Sequence, residues 1–199
     1  MNNFAIRRLS STDSIDEIIR MLQRAFAPMA SLGANCLGVD QSASTTRQRM
    51  ERGDCLLAVS DGRIIGTLTL QTYDPLSEVT HYRNPNVASL HQFAVAPEYQ
   101  GGGVGRSMLK VATTWARMRE FSELALDTPA VALDARDFYS HQGFAFVQVN
   151  RLAGRNYDSV IMSKPLSLGH QVHPGGVPRS TESGVATEQS QSRFARWLH

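Results

Sequence analysis

The run from Leu90 to Gly105 restricts this chain more than any other stretch. Leu90 to Val95 has the composition of a buried strand, and Pro97 closes it because proline has no N–H to give to a ladder. Gly101, Gly102, Gly103 and Gly105 then place four glycines in five positions, and an apolar stripe at helical spacing begins at Val104. Strand, glycine turn and helix start together aim unpaired backbone N–H groups, and the positive end of a helix dipole, at an anion. Glycine serves twice here: it takes a positive φ without strain, and its missing side chain lets a phosphate approach the backbone. A plain flexible surface loop is the competing reading, and it explains neither the strand nor the helix that flanks it.

Two nucleotide-binding patterns fail on this run. A P-loop needs a glycine five residues before Gly105, where Gln100 stands, and a lysine where Arg106 stands. The dinucleotide pattern G-x-G-x-x-G leads from Gly101 and Gly103 to Arg106, and from Gly103 and Gly105 to Met108. The pattern Q-x-x-G-x-G does fit, on Gln100, Gly103 and Gly105, directly after Ala94-Val95-Ala96-Pro97. It resembles the acetyl-coenzyme A signature of the GNAT superfamily of N-acetyltransferases.

The 199 residues, 42% of them hydrophobic, suffice for one well-buried core and a tail. A net charge of +2 gives no argument for nucleic acid or an anionic membrane surface as a partner. Met1 to Arg8 leads into no long apolar run, so no signal peptide is read, and no run approaches the eighteen or so residues of a membrane helix. Cys36 and Cys55 form no metal spacing and no CxxC, and read as reduced thiols of a cytoplasmic protein. The histidines share no ligand spacing, so no metal is expected.

In chain order, Phe4 to Leu9 reads as a strand. Ser14 and Glu17 form a capping-box pattern before a helix on Ile15, Ile18, Ile19, Leu22, Ala25 and Phe26, which Pro28 is expected to end after Ala27. Residues 28 to 41 read as a connector or a substrate lid, and Thr45 to Glu51 as a short helix. Asp61-Gly62 between two β-rich runs predicts a hairpin of Cys55–Ser60 and Arg63–Leu70. Asp74 to Ala88 reads as a loop. Val104 to about Arg119 is a helix, and Leu124 to Leu126 a short strand. Thr128-Pro129 reads as the cap and first position of the next helix, which Gly143 stops. Phe144–Val149 and Tyr157–Met162 close the pattern. Leu168 to Ser192 is polar and reads as a disordered tail. The domain expectation is therefore 1–166 folded and 167–199 a tail.

This order is similar to the GNAT fold, a mixed α/β (α+β) sheet of six to seven strands flanked by about four helices. Ala135-Arg136-Asp137-Phe138-Tyr139, followed by Gly143-Phe144, resembles the family's A-x-x-[FL]-Y-x-x-x-G-F segment. Asn156 to Lys164 resembles its closing strand. The resemblance implies acetyl-CoA as cosubstrate, lying between strands that splay after Val95 and Leu126. Phe93, Ala94 and Val95 would hold the pantetheine arm. Gln100, Gly101, Gly102, Gly103, Val104, Gly105 and Arg106 would hold the pyrophosphate. One departure stands out: where the family often carries asparagine, seven residues before the tyrosine, this chain has Ala132.

Acetyl transfer to an amine requires loss of an ammonium proton, a donor for the developing oxyanion, and stabilisation of the departing thiolate. The resemblance assigns the last role to Tyr139, whose competing reading is packing beside Phe138, and the oxyanion donor to a backbone N–H near Val95. For the base, strict alternation puts Ser89, His91, Phe93 and Val95 on one face, and the resemblance points to that face. His91, with an ordinary pKa near 6.5, is then the candidate, against a structural histidine. His81, Glu78 and Asp127 are lesser candidates, and His141 and Arg136 read as a solvated face. Arg106 and Lys110 are read as phosphate neutralisers or as solvated cations. The partners implied are a small amine or a protein amine, with a homodimer allowed; selectivity is assigned to residues 28–41, 74–88 and 150–156. A catalytically silent acyl-coenzyme A binding module on the same fold is the alternative function.

Overall fold

Seven strands pair into one sheet in the order β1-β2-β3-β4-β5-β7-β6, in a computed structural model that describes residues 3–35 and 42–166. The strands are β1 (Ala5–Arg8), β2 (Asp54–Ser60), β3 (Arg63–Gln71), β4 (Val87–Val95), β5 (Glu123–Pro129), β6 (Ala145–Arg151) and β7 (Asp158–Pro165). The helices are α1 (Ile15–Ser31), α2 (Ala43–Glu51), α3 (Val104–Met118) and α4 (Leu133–His141). Every neighbouring strand pair is antiparallel except β4–β5. This is the mixed α/β sheet expected. Cys36 and the tail read from residue 167 onward lie outside the described residues.

Both faces of the central strands are covered, so β2 and β3 are buried almost throughout. Leu56 and Ala58 join the core beneath α3, with Met108, Ala112 and Trp115, while Cys55 and Leu57 join Ile18, Met21 and Leu22 of α1. Asp61 and Gly62 take positive φ of 48° and 75°, the two-residue turn that joins β2 to β3. Trp115 is fully buried, and its indole N–H donates to Asp54 at 2.6 Å. Arg119 donates to the same carboxylate at 2.8 Å and lies over the indole ring at 4.3 Å.

Four local expectations change. Helix α1 does not stop at Ala27: it runs through Pro28 to Ser31, and the chain turns at Gly33, with φ of 77°. Proline there removes one N–H from the closing turns, and the apolar face of α1, packed on the sheet, holds the remainder in register. The capping box is half formed. Ser14 accepts from the Glu17 N–H at 3.2 Å, but Glu17 Oε1 accepts from the N–H of Ile64 at 2.8 Å and so ties α1 to β3. Thr128 and Pro129 do not start α4; they extend β5, paired with Val160 and Ser159 of β7. A ladder of seven residues outweighs a local helix-start signal, and α4 begins at Leu133 with Ala132 as an N-cap that makes no side-chain bond. The stretch read as a loop carries a 3-10 turn at Thr80–Arg83, and β4 starts three residues early at Val87.

The alternation expected along β4 also fails, and this shapes the site. Thr69 lies opposite His91 and Thr67 opposite Ala94, so Gln92 and Phe93 face the single residue Leu68. Gln92 has a φ of 48°. The result is a bulge. Ala88 and Leu90 belong to the α3 side, and Phe93 and Val95 pack on that same side, while Ala94 and Ala96 join the α1 side. His91 and Phe93 therefore do not share a face.

Candidate active site

Strands β4 and β5 pair in parallel only from Val87–Glu123 to Leu90–Leu126. Beyond those pairs they part, and a cleft of about 890 Å³ opens between them. Phe93 and Val95 line one wall, Thr128 and Pro129 the other, and the glycine turn closes one end.

At that end, Gly101 and Gly103 hold φ of 74° and 86°, and Gly103 is the residue from which α3 springs. A Cβ on either would meet no atom within 4 Å, so the backbone faces open space where an anion can reach it. Gln100 donates its side-chain amide to the carbonyl of Val95 at 2.9 Å, which ties the turn back to the strand. Gly105 stands against the strand, where a Cβ would lie 3.4 Å from Phe93 Cζ. Val104 is buried in the core, leaving only its backbone for a ligand, and Arg106 is exposed at the cleft edge. Lys110 is exposed and does not line the cleft. Ala132 lines the cleft with a methyl group, at the position where the family often carries asparagine. Charge, room and backbone donors together fit the diphosphate of a coenzyme A thioester.

Midway along, Phe93 meets Phe138 and Tyr139 at ring-centroid distances of 6.4 and 6.2 Å. Tyr139 is 9% exposed, lines the cleft, and its hydroxyl makes no hydrogen bond to another described residue. Burial raises its pKa far above the phenol range, and the Asp127 carboxylate adds to the effect. The hydroxyl therefore keeps its proton throughout the physiological range.

His91 lies across the sheet from Phe93, half-buried, with its ring edge-on to Tyr82 at 5.7 Å. Its Nε2 is 2.8 Å from the Ser89 hydroxyl. Burial holds its pKa down at about 4; Arg49 and Arg155 depress it further, against the carboxylates of Asp127 and Asp74. The imidazole is neutral at pH 7. Its expected titration near pH 6.5 moves down accordingly.

The end of the cleft away from the glycines was the least visible in the sequence. Leu22, Phe26 and Met29 of α1 make it apolar, and Arg49, Asp127 and Arg155 add charge. Arg155 donates to Asp127 at 2.6 Å, with both side chains 13% exposed, and to Ser159 at 3.0 Å. Arg49 and Arg155 had no sequence signal beyond their place in a polar helix and a turn. Of the three segments given to selectivity, Pro28, Met29 and Arg155 reach the cleft, and no residue of 74–88 does. The lesser base candidates are otherwise occupied. His81 bonds Glu123 at 3.0 Å, and Glu78 accepts from the Ala153 N–H at 3.1 Å. His141 is exposed and bonds the Asp137 carbonyl, while Arg136 donates to the Ala130 carbonyl and is only half-buried. Cys55 is buried and its thiol pKa is pushed up by that burial, which makes it unreactive.

A model of the Acetyltransferase (GNAT) family matches residues 19–144. The chain belongs to the GNAT family. It is 29% identical to human N-acetyltransferase 8B over 110 residues, which is 54% of this chain and 46% of that protein. It is 25% identical to N-acetylaspartate synthetase of Xenopus tropicalis over 114 residues, 57% of this chain and 39% of that protein. The GNAT chain thus spans about half the length of the curated relatives it matches. Among solved structures it resembles the ribosomal-protein-S18-alanine N-acetyltransferase from Escherichia coli, with a TM-score of 0.63 and 22% identity over 86% of this chain and 99% of that one. A GNAT acetyltransferase from Elizabethkingia anophelis with acetyl-CoA bound aligns at a TM-score of 0.60 and 18% identity, covering 83% of this chain and 100% of that one. These likenesses establish the same fold. Among the described residues no helix of this GNAT protein is long and apolar enough to cross a membrane.

Proposed function

We propose that the protein moves an acetyl group from acetyl-CoA to an amine by direct attack. The observation that carries this reading is the parting of β4 from β5, with the glycine turn at one end of the cleft and, midway, the Tyr139 hydroxyl, which bonds no other described residue. Backbone N–H groups of residues 101 to 106 would hold the diphosphate, and Phe93, Ala94 and Val95 the pantetheine arm, whose thioester supplies the activated acetyl group. The bulge at Gln92 leaves Phe93 without a Cα partner on β3, and it lies past the last β4–β5 pair. A backbone donor in that stretch can serve the oxygen of the attacked carbonyl.

Proton movement follows from the two titrating groups. An amine must attack in its neutral form, and bond formation to carbon acidifies the N–H that remains. A neutral imidazole suffices at that moment, so His91 is the proposed base, directly or through water. Tyr139 is the proposed general acid. Its raised pKa, against about 8.5 for a thiol, makes it a hydrogen-bond donor that relays a proton to sulfur rather than one that rests as phenolate. The amine nitrogen gives one proton to the imidazole and the thiolate takes one from the phenol; passage of a proton from the imidazolium to the phenolate through water then restores both groups. The relatives' names fit an amine acceptor: an amino acid for the Xenopus tropicalis synthetase and a ribosomal-protein alanine for the Escherichia coli enzyme.

Free-thiol release from acetyl-CoA, measured across a panel of amines, tests the reading. Acceptor-dependent release is expected. Coenzyme A binding without release on any amine would instead identify an acyl-coenzyme A binding module.

A further inference from the structure

The sheet ends in two edge strands, β1 and β6, and they differ in kind. Strand β1 has four residues, two of them Arg7 and Arg8, and Arg7 pairs with Asp13 at 2.6 Å. Brevity and charge guard such an edge against a further strand. Strand β6 has seven residues, and its one charged residue, Arg151, comes last and pairs with Asp158 at 3.1 Å. Among the described residues only β7 pairs with β6, so its outer backbone groups face away from the sheet. Phe146 and Val149 stand on this edge 61% and 54% exposed. We infer that two copies of this chain pair antiparallel along β6, with Phe146 of each copy opposite Val149 of the other.

The pairing of β6 with β7 selects that register. Along β7, Val160 and Met162 join the core beneath α3, while Ile161 joins Tyr82 on the other side of the sheet. Phe146 lies opposite Met162 and Val149 opposite Val160, so both stand on the α3 side. They share a side three positions apart because the ladder slips between Phe146 and Gln148, which leaves Val147 as an extra residue. Val147 packs with Ile161, and Gln148 lies opposite it, so these two take the other side. Ala145 and Asn150, opposite Ser163 and Ser159, join them there. A strand that pairs with its own copy must match sides as well as residues. Setting Val147 opposite Gln148 achieves this throughout: Phe146 meets Val149 twice on one side, and Ala145 meets Asn150 twice on the other. A slip of one residue sets Phe146 against Asn150 or Gln148, which lie on the wrong side.

Each copy thus covers the apolar groups of the other, main-chain bonds add to the contact, and β6 brings no unpaired charge into it. A strand-edge contact of this length covers on the order of 1,000 Å² over both copies, the lower end for a specific interface, so the pairing is reversible. It is also closed, since only the guarded β1 edges remain outside.

This inference stands apart from the acetyl-transfer reading, and its test needs no turnover. Sedimentation velocity of the full chain, from micromolar to several hundred micromolar, should show a monomer in concentration-dependent equilibrium with a species of twice its mass. Phe146→Lys with Val149→Lys sets lysine opposite lysine in both cross-strand pairs and should weaken the dimer at least tenfold. Phe146→Lys with Val149→Glu sets lysine opposite glutamate in both, and its dimer should be at least tenfold tighter than that of the double-lysine variant. Both positions are exposed, so circular dichroism melts of the two variants should match the parent. A parent that stays monomeric throughout overturns the proposal and leaves the edge to a partner of another kind. A dimer that the double-lysine variant leaves intact, or that both variants weaken equally, overturns it as well.

Discussion

His91 and Phe93 stand two residues apart on β4 and face opposite sides of the sheet, His91 toward Tyr82 and Phe93 toward Tyr139. The inversion is made by Gln92, whose φ of 48° places an extra residue opposite Leu68. It gives one strand two different faces within three positions, one proposed for the pantetheine arm and the other for the proton acceptor.

Gln92 should therefore tolerate glycine and resist β-branched residues. A left-handed backbone costs an L side chain about 1–2 kcal/mol, and valine adds crowding at its Cβ. Among the described residues its side-chain Nε2 has no partner and its Oε1 accepts only from Thr69, at a long 3.5 Å, so losing the side chain forfeits little hydrogen bonding. Gln92→Gly is expected to unfold in urea within about 0.5 kcal/mol of the parent, and Gln92→Val to lose about 1–2 kcal/mol. Equal midpoints for the two variants would show that the bulge is not strained.

The bulge was the main feature the sequence could not express. Glutamine carries no bias toward a positive φ, and the slip arises from the pairing of β3 with β4, a contact between distant segments. Much else was legible because it was local. Asp61-Gly62 encodes its turn, the glycines after Pro97 encode a break and a helix start, and the spacing from Ile15 to Phe26 encodes one buried face. Local signals misled where long-range pairing won. Thr128-Pro129 has the chemistry of a helix start, yet β7 takes both into the sheet. Arg49 and Arg155 lie 106 positions apart in the chain and meet in one cleft only through the fold.

Gly103 and Gly105 should separate backbone strain from packing. Gly103→Ala meets open space but must hold a φ of 86°, so it should lose about 1–2 kcal/mol of stability and weaken coenzyme A binding. Gly105→Ala lies in a helix without a positive φ, where alanine is favoured by up to about 1 kcal/mol. Its added methyl would make ordinary contacts with Phe93, Phe138 and Val95 at 3.4–3.6 Å and narrow the cleft, so stability should hold while the Michaelis constant for acetyl-CoA rises. Thermal melts with and without coenzyme A distinguish the two, and an identical response in both variants would count against this division.

Tyr139→Phe should reduce kcat by about 10²- to 10⁴-fold, the range of a lost general acid. Its hydroxyl bonds no described residue and the ring would remain among Phe93, Phe138 and Phe144. Stability and coenzyme A affinity should therefore stay near those of the parent. A matching fall in affinity, measured by calorimetry, would assign the residue to packing.

Asp127 is coupled to both Tyr139 and His91, the proposed acid and base, because its charge raises the pKa of each. Asp127→Asn should lower both, and it leaves Arg155 facing an amide. Breaking a largely buried pair of this kind costs about 3–5 kcal/mol. A double-mutant cycle with Arg155→Gln in urea measures the coupling, and a coupling near zero would mean that the ion pair adds no stability.

The pH dependence of stability should follow His91. Its folded pKa of about 4 lies below the ordinary 6.5, so below pH 6.5 the unfolded chain takes up a proton that the folded chain refuses. The unfolded state then binds more protons, and stability falls as pH drops from about 6.5 to about 4, with no further loss from this group below that. For a half-buried ring the effect should be roughly 2 kcal/mol, less than the full shift would give because solvent reaches the site. His91→Gln keeps a polar side chain beside Ser89 and cannot charge, so its stability should be flatter over that window. The same variant should lose any rate step near pH 4 to 5 and show no change near pH 6 to 7. A parent profile that instead steps near pH 6.5, and loses that step in the variant, would mean that the imidazole is more hydrated than its packing against Tyr82 allows.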